Sequence, residues 1–76
     1  MTSYILHLYG AASCPFTAEM RSQLEYEERL FVEYDVETDR LARERLVSLT
    51  GQHMVPALVH DGRVVAVGWH GRGCLV

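Results

Sequence analysis

The sequence predicts an α/β domain whose elements follow the order β-α-β-α-β-β, with the strands forming one four-stranded mixed sheet. Three observations support this class. An apolar run ends at Gly10, and two segments with helical periodicity alternate with strand patterns. Further along, Asp61-Gly62 separates two β-rich runs, which is a strong signal for a type I′ hairpin. The chain of 76 residues is therefore predicted to form one domain.

The first half of the chain predicts a right-handed β-α-β unit. Residues 4–9 are almost all apolar or aromatic, which suits a central parallel strand buried on both faces. Within residues 15–29, apolar side chains recur every four residues at Phe16, Met20 and Leu24, which predicts the first helix. Residues 31–36 alternate apolar and polar side chains and form the second strand.

A second helix and a hairpin account for the remaining elements. Thr38 or Asp39 caps this helix, which ends at Gly51. Residues 56–60 and 63–67 form the two strands of the hairpin. The tail that follows is rich in glycine, so we expect no regular helix there.

Composition and charge exclude several classes of function. The net charge is −3, and the seven basic residues are all arginines scattered along the chain, so there is no basic stripe for nucleic acid. No apolar run approaches the ~18 residues of a membrane helix, and the run at residues 4–9 is too short for a signal peptide. We therefore predict a cytoplasmic protein that binds neither nucleic acid nor a membrane.

The segment from Ala12 to Thr17 places Cys14 between the first strand and the first helix. A thiol there meets unpaired backbone N–H groups and the positive end of the helix dipole, which favour the thiolate. Pro15 suits the first helical position. The Thr17 hydroxyl lies one turn on, where it can donate a hydrogen bond to the sulfur. Cys14 is therefore the candidate nucleophile, and the alternative is a buried, inert cysteine.

Four features, spread over nearly the whole chain, resemble the glutaredoxin-like proteins of the thioredoxin fold. In order they are Cys14-Pro15-Phe16-Thr17, residues 34–39, residues 50–56, and the hairpin followed by Gly68. The first and third together are the most specific. The resemblance implies a thioredoxin-like fold, truncated because the last helix of the family has no counterpart here. The sheet face left thinly covered then favours self-association as a homodimer.

The resemblance also implies roles for individual residues. Pro56 corresponds to a cis-proline that packs against the active-site sulfur and leaves the backbone of Val55 free to pair with a thiol-bearing peptide. The residues expected to contact substrate are Pro15, Phe16, Val55, Pro56, Gly68 and Trp69. For Trp69 the alternative is a packing role on the open sheet face.

Three departures from the family pattern limit what the resemblance implies. Thr17 stands where dithiol members have a second cysteine. Ala11 stands where a lysine binds one carboxylate of glutathione, and residues 68–71 are not followed by the carboxylate that helps to hold its γ-glutamyl end. We therefore predict no cofactor and poor binding of glutathione.

Cys74 is the other cysteine of the chain, and two cysteines are too few for a disulfide scaffold. In the thioredoxin fold the segment after the last strand runs beside the active-site loop, and Gly71 and Gly73 let the tail bend back towards Cys14. Cys74 is then the candidate resolving thiol for a mixed disulfide at Cys14. The alternative is a passive thiol in a mobile tail.

The four histidines show no spacing typical of a metal site, so we predict no bound metal. His53 and His70 are expected to flank the thiol. Either imidazole could raise the thiolate fraction of Cys14 or protonate a leaving group.

Residues 12–17 and the closing Gly-Trp-x-Gly-x-Gly-Cys tail are most similar to a small bacterial branch of these proteins. Selenocysteine often occupies the position of Cys14 in that branch. The sequence leaves open whether Cys14 is the native residue or replaces selenocysteine.

The predicted function is thiol–disulfide oxidoreduction on protein or small-molecule disulfides, with Cys14 attacking and either Cys74 or an external thiol resolving. Peroxide reduction is a variant of this activity. Two other classes stay open at this point. One is an iron–sulfur or metal carrier of the one-thiol glutaredoxin type, and the other is a non-catalytic binding module.

Overall fold

The computed structural model describes residues 4–76. The elements, in chain order, are β1 (Leu6–Gly10), α1 (Pro15–Tyr26), β2 (Phe31–Asp35), α2 (Arg40–Thr50), β3 (Met54–Val55), β4 (Ala57–His60), β5 (Arg63–Val67) and β6 (Cys74–Leu75). No helix within this range is long and apolar enough to cross a membrane. The predicted order of elements is confirmed, and two short strands, β3 and β6, are added to it.

The main sheet has four strands in the order β2-β1-β4-β5. Strand β1 pairs in parallel with β2 and antiparallel with β4, and β4 pairs antiparallel with β5. Asp61 and Gly62 connect β4 to β5 with φ angles of 50° and 74°, both positive as a type I′ turn requires. The mixed sheet and its hairpin are those that the sequence predicts.

The two helices cover opposite faces of the sheet, because side chains alternate between the faces along β1 and β4. The cluster on the α1 face contains Leu6, Leu8, Met20, Leu24 and Leu58. The cluster on the α2 face, called the α2-side cluster below, includes Tyr9, Cys14, Val36, Ala42, Leu46, Val55, Ala57 and Val59. The fold is therefore a three-layer α/β/α arrangement with the sheet in the middle.

One helix boundary matches its sequence signal and another does not. The side chain of Asp39 accepts a hydrogen bond from the N–H of Ala42 at 3.1 Å, so Asp39 is the cap of α2. Helix α1 ends at Tyr26 rather than at residue 29. Glu28 adopts a left-handed conformation with φ of 57°, and the N–H of the next residue bonds back into the last turn. Because glycine is usual at that position, the sequence carries no signal for this end.

The predicted boundaries of three strands also need correction. Strand β2 ends at Asp35 rather than at residue 36. Strand β1 begins at Leu6 rather than at residue 4, because its pairing with β2 starts there. The predicted strand over residues 56–60 begins at Ala57. Pro56 has no backbone N–H to donate, and it separates β4 from the short strand β3. Strand β3 pairs with β6 in a sheet of its own.

Candidate active site

Cys14 directly precedes α1 and is almost completely buried, with 2% of its surface exposed. Its N–H donates to the carbonyl oxygen of Ala11 at 3.0 Å, so residues 11–14 form a tight turn between β1 and α1. No acidic side chain lies in the first turn of α1, and Cys14 makes no capping hydrogen bond. The positive end of the helix dipole at Cys14 is therefore not offset from within that turn.

Thr17 is fully buried in the first turn of α1. Its hydroxyl oxygen accepts a hydrogen bond from the N–H of Ala11 at 3.3 Å, which ties the helix to the end of β1. This contact uses a lone pair of the hydroxyl oxygen. Donation of the hydroxyl hydrogen to a thiolate at Cys14 stays a prediction.

Cys14 forms a disulfide bond with Cys74 across a sequence separation of 60 residues, and the two Cα atoms lie 5.9 Å apart. The bond joins the start of α1 to the C-terminal strand β6. The structure therefore joins the candidate nucleophile to the candidate resolving thiol.

The tail reaches Cys14 through a tight turn. Trp69 and Arg72 exchange two backbone hydrogen bonds of 2.6 and 2.9 Å. The two residues between them, His70 and Gly71, have φ angles of 51° and 79°, as in a type I′ turn. Glycine adopts this conformation readily, and histidine does so more often than most residues. The sequence indicated a bend at Gly71, and the structure defines the turn that sends the chain back towards α1.

Strand β6 lies along β3, next to a cis peptide bond. The antiparallel register pairs Val55 with Cys74 and Met54 with Leu75. The Val55-Pro56 bond is cis, as the resemblance implies. The Sγ atom of Cys14 lies 3.9 Å from the carbonyl oxygen of Val55. The backbone that the resemblance assigns to substrate is therefore paired with the tail of the chain itself.

The other residues expected to contact substrate divide between the two faces of the sheet. Phe16 packs against the α2-side cluster, which contains Cys14, and Pro15 is exposed. Gly68 donates its N–H to the carbonyl oxygen of Pro56 at 2.7 Å. Trp69 packs against the cluster on the opposite face, the one that includes Met20 and Leu24 of α1. A role of these residues in binding substrate stays a prediction.

The two histidines expected near the thiol are both exposed. The carbonyl oxygen of His53 accepts a hydrogen bond from the N–H of Val76 at 2.8 Å, so its backbone helps to hold the tail. The ring of His70 packs edge-on against Trp69, with ring centroids 4.5 Å apart. Within residues 4–76, no three His, Cys, Asp or Glu side chains are grouped so that they could hold a metal ion. Proton transfer by either histidine stays a prediction.

Two further contacts near Cys14 were not predicted. The hydroxyl of Ser13 donates to the carboxylate of Glu37 at 3.0 Å, which links the turn before α1 to the loop before α2. Tyr9 stacks on Tyr34 with ring centroids 5.0 Å apart. Burial raises the pKa of the Tyr9 hydroxyl above its usual 10.0, the neighbouring Tyr34 adds to the increase, and Arg45 opposes it. Tyr9 is therefore protonated at neutral pH.

The fold around Cys14 is that of the thioredoxin-like proteins. The crystal structure of the thioredoxin-like protein BC3987 has a TM-score of 0.74 and 31% sequence identity, covering 80% of this chain and 84% of that one. A mutant of the same protein gives a TM-score of 0.75 at 31% identity, covering 82% and 80%. The glutaredoxin (grx-1) of Archaeoglobus fulgidus shares the fold with a TM-score of 0.73 at 21% identity, covering 82% of this chain and 73% of that one.

The family model described as Glutaredoxin matches residues 6–65. The chain therefore belongs to the glutaredoxin family. Comparison with the curated proteins gave no match. Family membership and the Cys14–Cys74 bond together indicate thiol–disulfide redox chemistry.

Proposed function

We propose that the protein is a thiol–disulfide oxidoreductase in which Cys14 attacks the substrate and Cys74 resolves the intermediate. The observation that supports this proposal is the disulfide that joins Cys14, at the N-terminus of α1, to Cys74 on strand β6. Such a bond is the product expected when a second thiol displaces a substrate from the first.

The cycle begins with both cysteines reduced. The thiolate of Cys14, favoured by the helix N-terminus, attacks one sulfur of a disulfide substrate. One substrate thiolate leaves, and the other half of the substrate stays attached to Cys14 as a mixed disulfide. The thiolate of Cys74 then attacks the sulfur of Cys14 and expels the second substrate thiolate. Two electrons reach the substrate, and a dithiol reductant returns the protein to its starting state by two further exchanges.

We expect glutathione to be a poor reductant in this cycle. Ala11 is buried and offers only a methyl group where glutathione-dependent relatives have a lysine. The chain contains no lysine at all. Disulfide reduction coupled in parallel to glutathione and to a thioredoxin reductase system tests this expectation. Saturation by glutathione at low concentration, or a coloured cluster bound with it, would favour the carrier function instead.

Turnover of a small disulfide such as 2-hydroxyethyl disulfide, with dithiothreitol as the dithiol reductant, tests the role of Cys14. Cys14→Ser should abolish the part of the rate that depends on the protein, because the attacking thiolate is removed. The matched controls are wild-type protein added in the oxidised form and wild-type protein added in the reduced form. Both should give the same steady-state rate, because dithiothreitol brings them into the same cycle. Unchanged turnover in Cys14→Ser would contradict the proposal.

Hydrogen peroxide is tested as a separate substrate, because its reduction would also leave the Cys14–Cys74 disulfide as the product. The Cys14 thiolate attacks one oxygen of the peroxide and becomes a sulfenic acid, while the other oxygen leaves and takes up a proton to form water. The Cys74 thiol then attacks that sulfur and displaces a second water, which leaves the disulfide. We expect the variant Cys14→Sec to reduce peroxide faster than the wild-type protein. Selenocysteine often occupies this position in the branch that the tail motif resembles. Equal peroxide rates in the wild-type and Cys14→Ser proteins would remove peroxide from the list of substrates.

A further inference from the structure

The contact between the tail and β3 shows how one extended cysteine-containing segment is held when it is linked to Cys14. The segment is residues 73–76, and its sequence is Gly-Cys-Leu-Val. Its bond to Cys14 is chemically the same kind of bond as a mixed disulfide with a substrate peptide. The contacts of this segment therefore show what the surface beneath it requires of a bound peptide at each position.

The backbone contacts are independent of side-chain identity. The register pairs Cys74 with Val55 and Leu75 with Met54. The N–H of Val76 donates to the carbonyl oxygen of His53 at 2.8 Å. Any extended segment without proline can form such strand-like contacts, which hold the peptide but do not select its sequence.

The position before the cysteine has no room for a side chain. A Cβ atom on Gly73 would lie 2.7 Å from Cγ of Met54 and 2.7 Å from the carbonyl oxygen of Val55. The Met54 side chain can move, but the Val55 carbonyl belongs to the backbone of a fully buried residue. The site therefore selects glycine at this position.

The two positions after the cysteine differ because side chains alternate along a strand. Leu75 points outward and is 81% exposed. Val76, like Cys74, packs against the α2-side cluster. The second position after the cysteine therefore selects an apolar side chain, and the first does not.

We propose that this surface, made by residues 53–55 and the α2-side cluster, is a binding site for target polypeptides that contain Gly-Cys-x-aliphatic, where x is any residue except proline. The proposal rests on the oxidoreductase function above, and it names the substrate class. The tail occupies the same surface, so it competes with the target. Cys74 reaches Cys14 only as the target segment leaves the edge of β3, and resolution therefore coincides with product release.

The experiment uses the full-length reduced variant Cys74→Ser and four peptides, each activated as a disulfide with thionitrobenzoate. One peptide carries the tail sequence, and each of the other three differs from it at a single position. The Cys14 thiolate attacks the peptide sulfur and releases coloured thionitrobenzoate, so the rate of colour development reports formation of the mixed disulfide. The central sequences are Gly-Cys-Leu-Val, Gly-Cys-Leu-Asp, Gly-Cys-Asp-Val and Val-Cys-Leu-Val. The third peptide is the matched control for charge, because it has the same net charge as the second.

We expect Gly-Cys-Leu-Asp and Val-Cys-Leu-Val to react at least about tenfold more slowly than Gly-Cys-Leu-Val, since each loses burial or meets a steric clash. Gly-Cys-Asp-Val should react within about twofold of Gly-Cys-Leu-Val, because that side chain faces solvent. Equal rates for all four peptides would overturn the proposal while leaving the oxidoreductase function intact. If Cys14 reacts neither with any of the peptides nor with the symmetrical thionitrobenzoate disulfide, the oxidoreductase function itself is contradicted.

Competition by the tail is tested in the same assay with Val76→Asp added to Cys74→Ser. This change weakens the seating of the tail, so Gly-Cys-Leu-Val should react faster than it does with Cys74→Ser alone. Leu75→Asp is the control with the same charge at an exposed position, and it should leave the rate unchanged within about twofold. No acceleration by Val76→Asp would show that the tail does not share the site with the peptide.

Discussion

Thr17 holds the cysteine turn against the sheet through its hydroxyl oxygen. The acceptor contact with the N–H of Ala11 is made inside the protein, where an unpaired N–H costs about 1–3 kcal/mol. The sequence indicated that this hydroxyl lies one turn after Cys14, where its donation to the sulfur stays a prediction, but it gave no signal for the contact with Ala11. The contact with Ala11 depends on the distance between the first turn of α1 and the end of β1. That distance is set by the packing of the helix on the sheet rather than by local sequence.

We predict that Thr17→Val exposes the Ala11 amide to solvent exchange. Valine has nearly the same shape but no acceptor, whereas Thr17→Ser keeps the oxygen and loses only a methyl group. Hydrogen exchange of the Ala11 amide, measured by NMR on the oxidised protein, should be at least about tenfold faster in Thr17→Val than in wild type. Thr17→Ser should retain the protection. Equal protection in both variants would mean that the hydroxyl is not the acceptor.

Cys14 should react with alkylating agents as a thiolate at lower pH than an ordinary thiol. Its place before α1 exposes the sulfur to the positive end of the helix dipole once the tail is released. In reduced Cys74→Ser, the rate of alkylation plotted against pH should have its midpoint below about 8.5, the usual free-thiol value. The matched control is the alkylation of Cys74 in Cys14→Ser, because Cys74 lies on strand β6 and not at a helix N-terminus. A midpoint for Cys14 at or above that of Cys74 would contradict the role of the helix.

Strands β3 and β6 are the elements that the sequence could not predict. Each has two residues, which is too short for an alternating pattern to be recognised. Their pairing depends on the turn at residues 69–72, whose second residue, His70, is not a standard turn residue. The longer elements were predictable because each carries several apolar positions in a regular period. The glycines of the tail indicated that it could bend back, but its register on β3 follows only from the assembled fold.

We predict that Gly73→Ala weakens the internal disulfide without touching either cysteine. The added methyl meets Met54 and the carbonyl oxygen of Val55, so the tail no longer fits flat on β3. In equilibrium with reduced and oxidised dithiothreitol, the variant should favour the dithiol form by about tenfold more than wild type. Leu75→Ala changes an exposed position in the same strand and should shift the equilibrium less than about twofold. A larger shift for Leu75→Ala than for Gly73→Ala would contradict the described register.

At the scale of the whole molecule, the disulfide closes most of the chain into one loop. A domain of this size buries a limited core, so we expect a covalent link between the start of α1 and the tail to add to its stability. The four-stranded sheet and the order of its elements were predicted because a chain of 76 residues with this pattern has few ways to bury its apolar faces. The packing of the two helices on opposite faces was not predicted and follows from the structure.

We predict that reduction lowers the free energy of unfolding substantially. A bond that spans 60 residues restricts the unfolded chain by up to ~4 kcal/mol in the chain-entropy model. Urea unfolding should give a lower midpoint for the reduced wild-type protein than for the oxidised one. Cys74→Ser under oxidising conditions should match the reduced protein, which serves as its control. Identical midpoints for oxidised and reduced wild type would contradict the presence of the bond in solution.

The most direct test of the central claim is the intact mass of the protein after one turnover. Reduced wild type and reduced Cys74→Ser are each mixed with one equivalent of 2-hydroxyethyl disulfide, quenched with acid, and weighed by mass spectrometry. Wild type should lose only its two thiol hydrogens and carry no adduct, with digestion giving a peptide that joins Cys14 to Cys74. Cys74→Ser should retain one mercaptoethanol group on Cys14. An adduct that persists on wild type, or its loss from Cys74→Ser at the wild-type rate, would show that Cys74 does not resolve the intermediate.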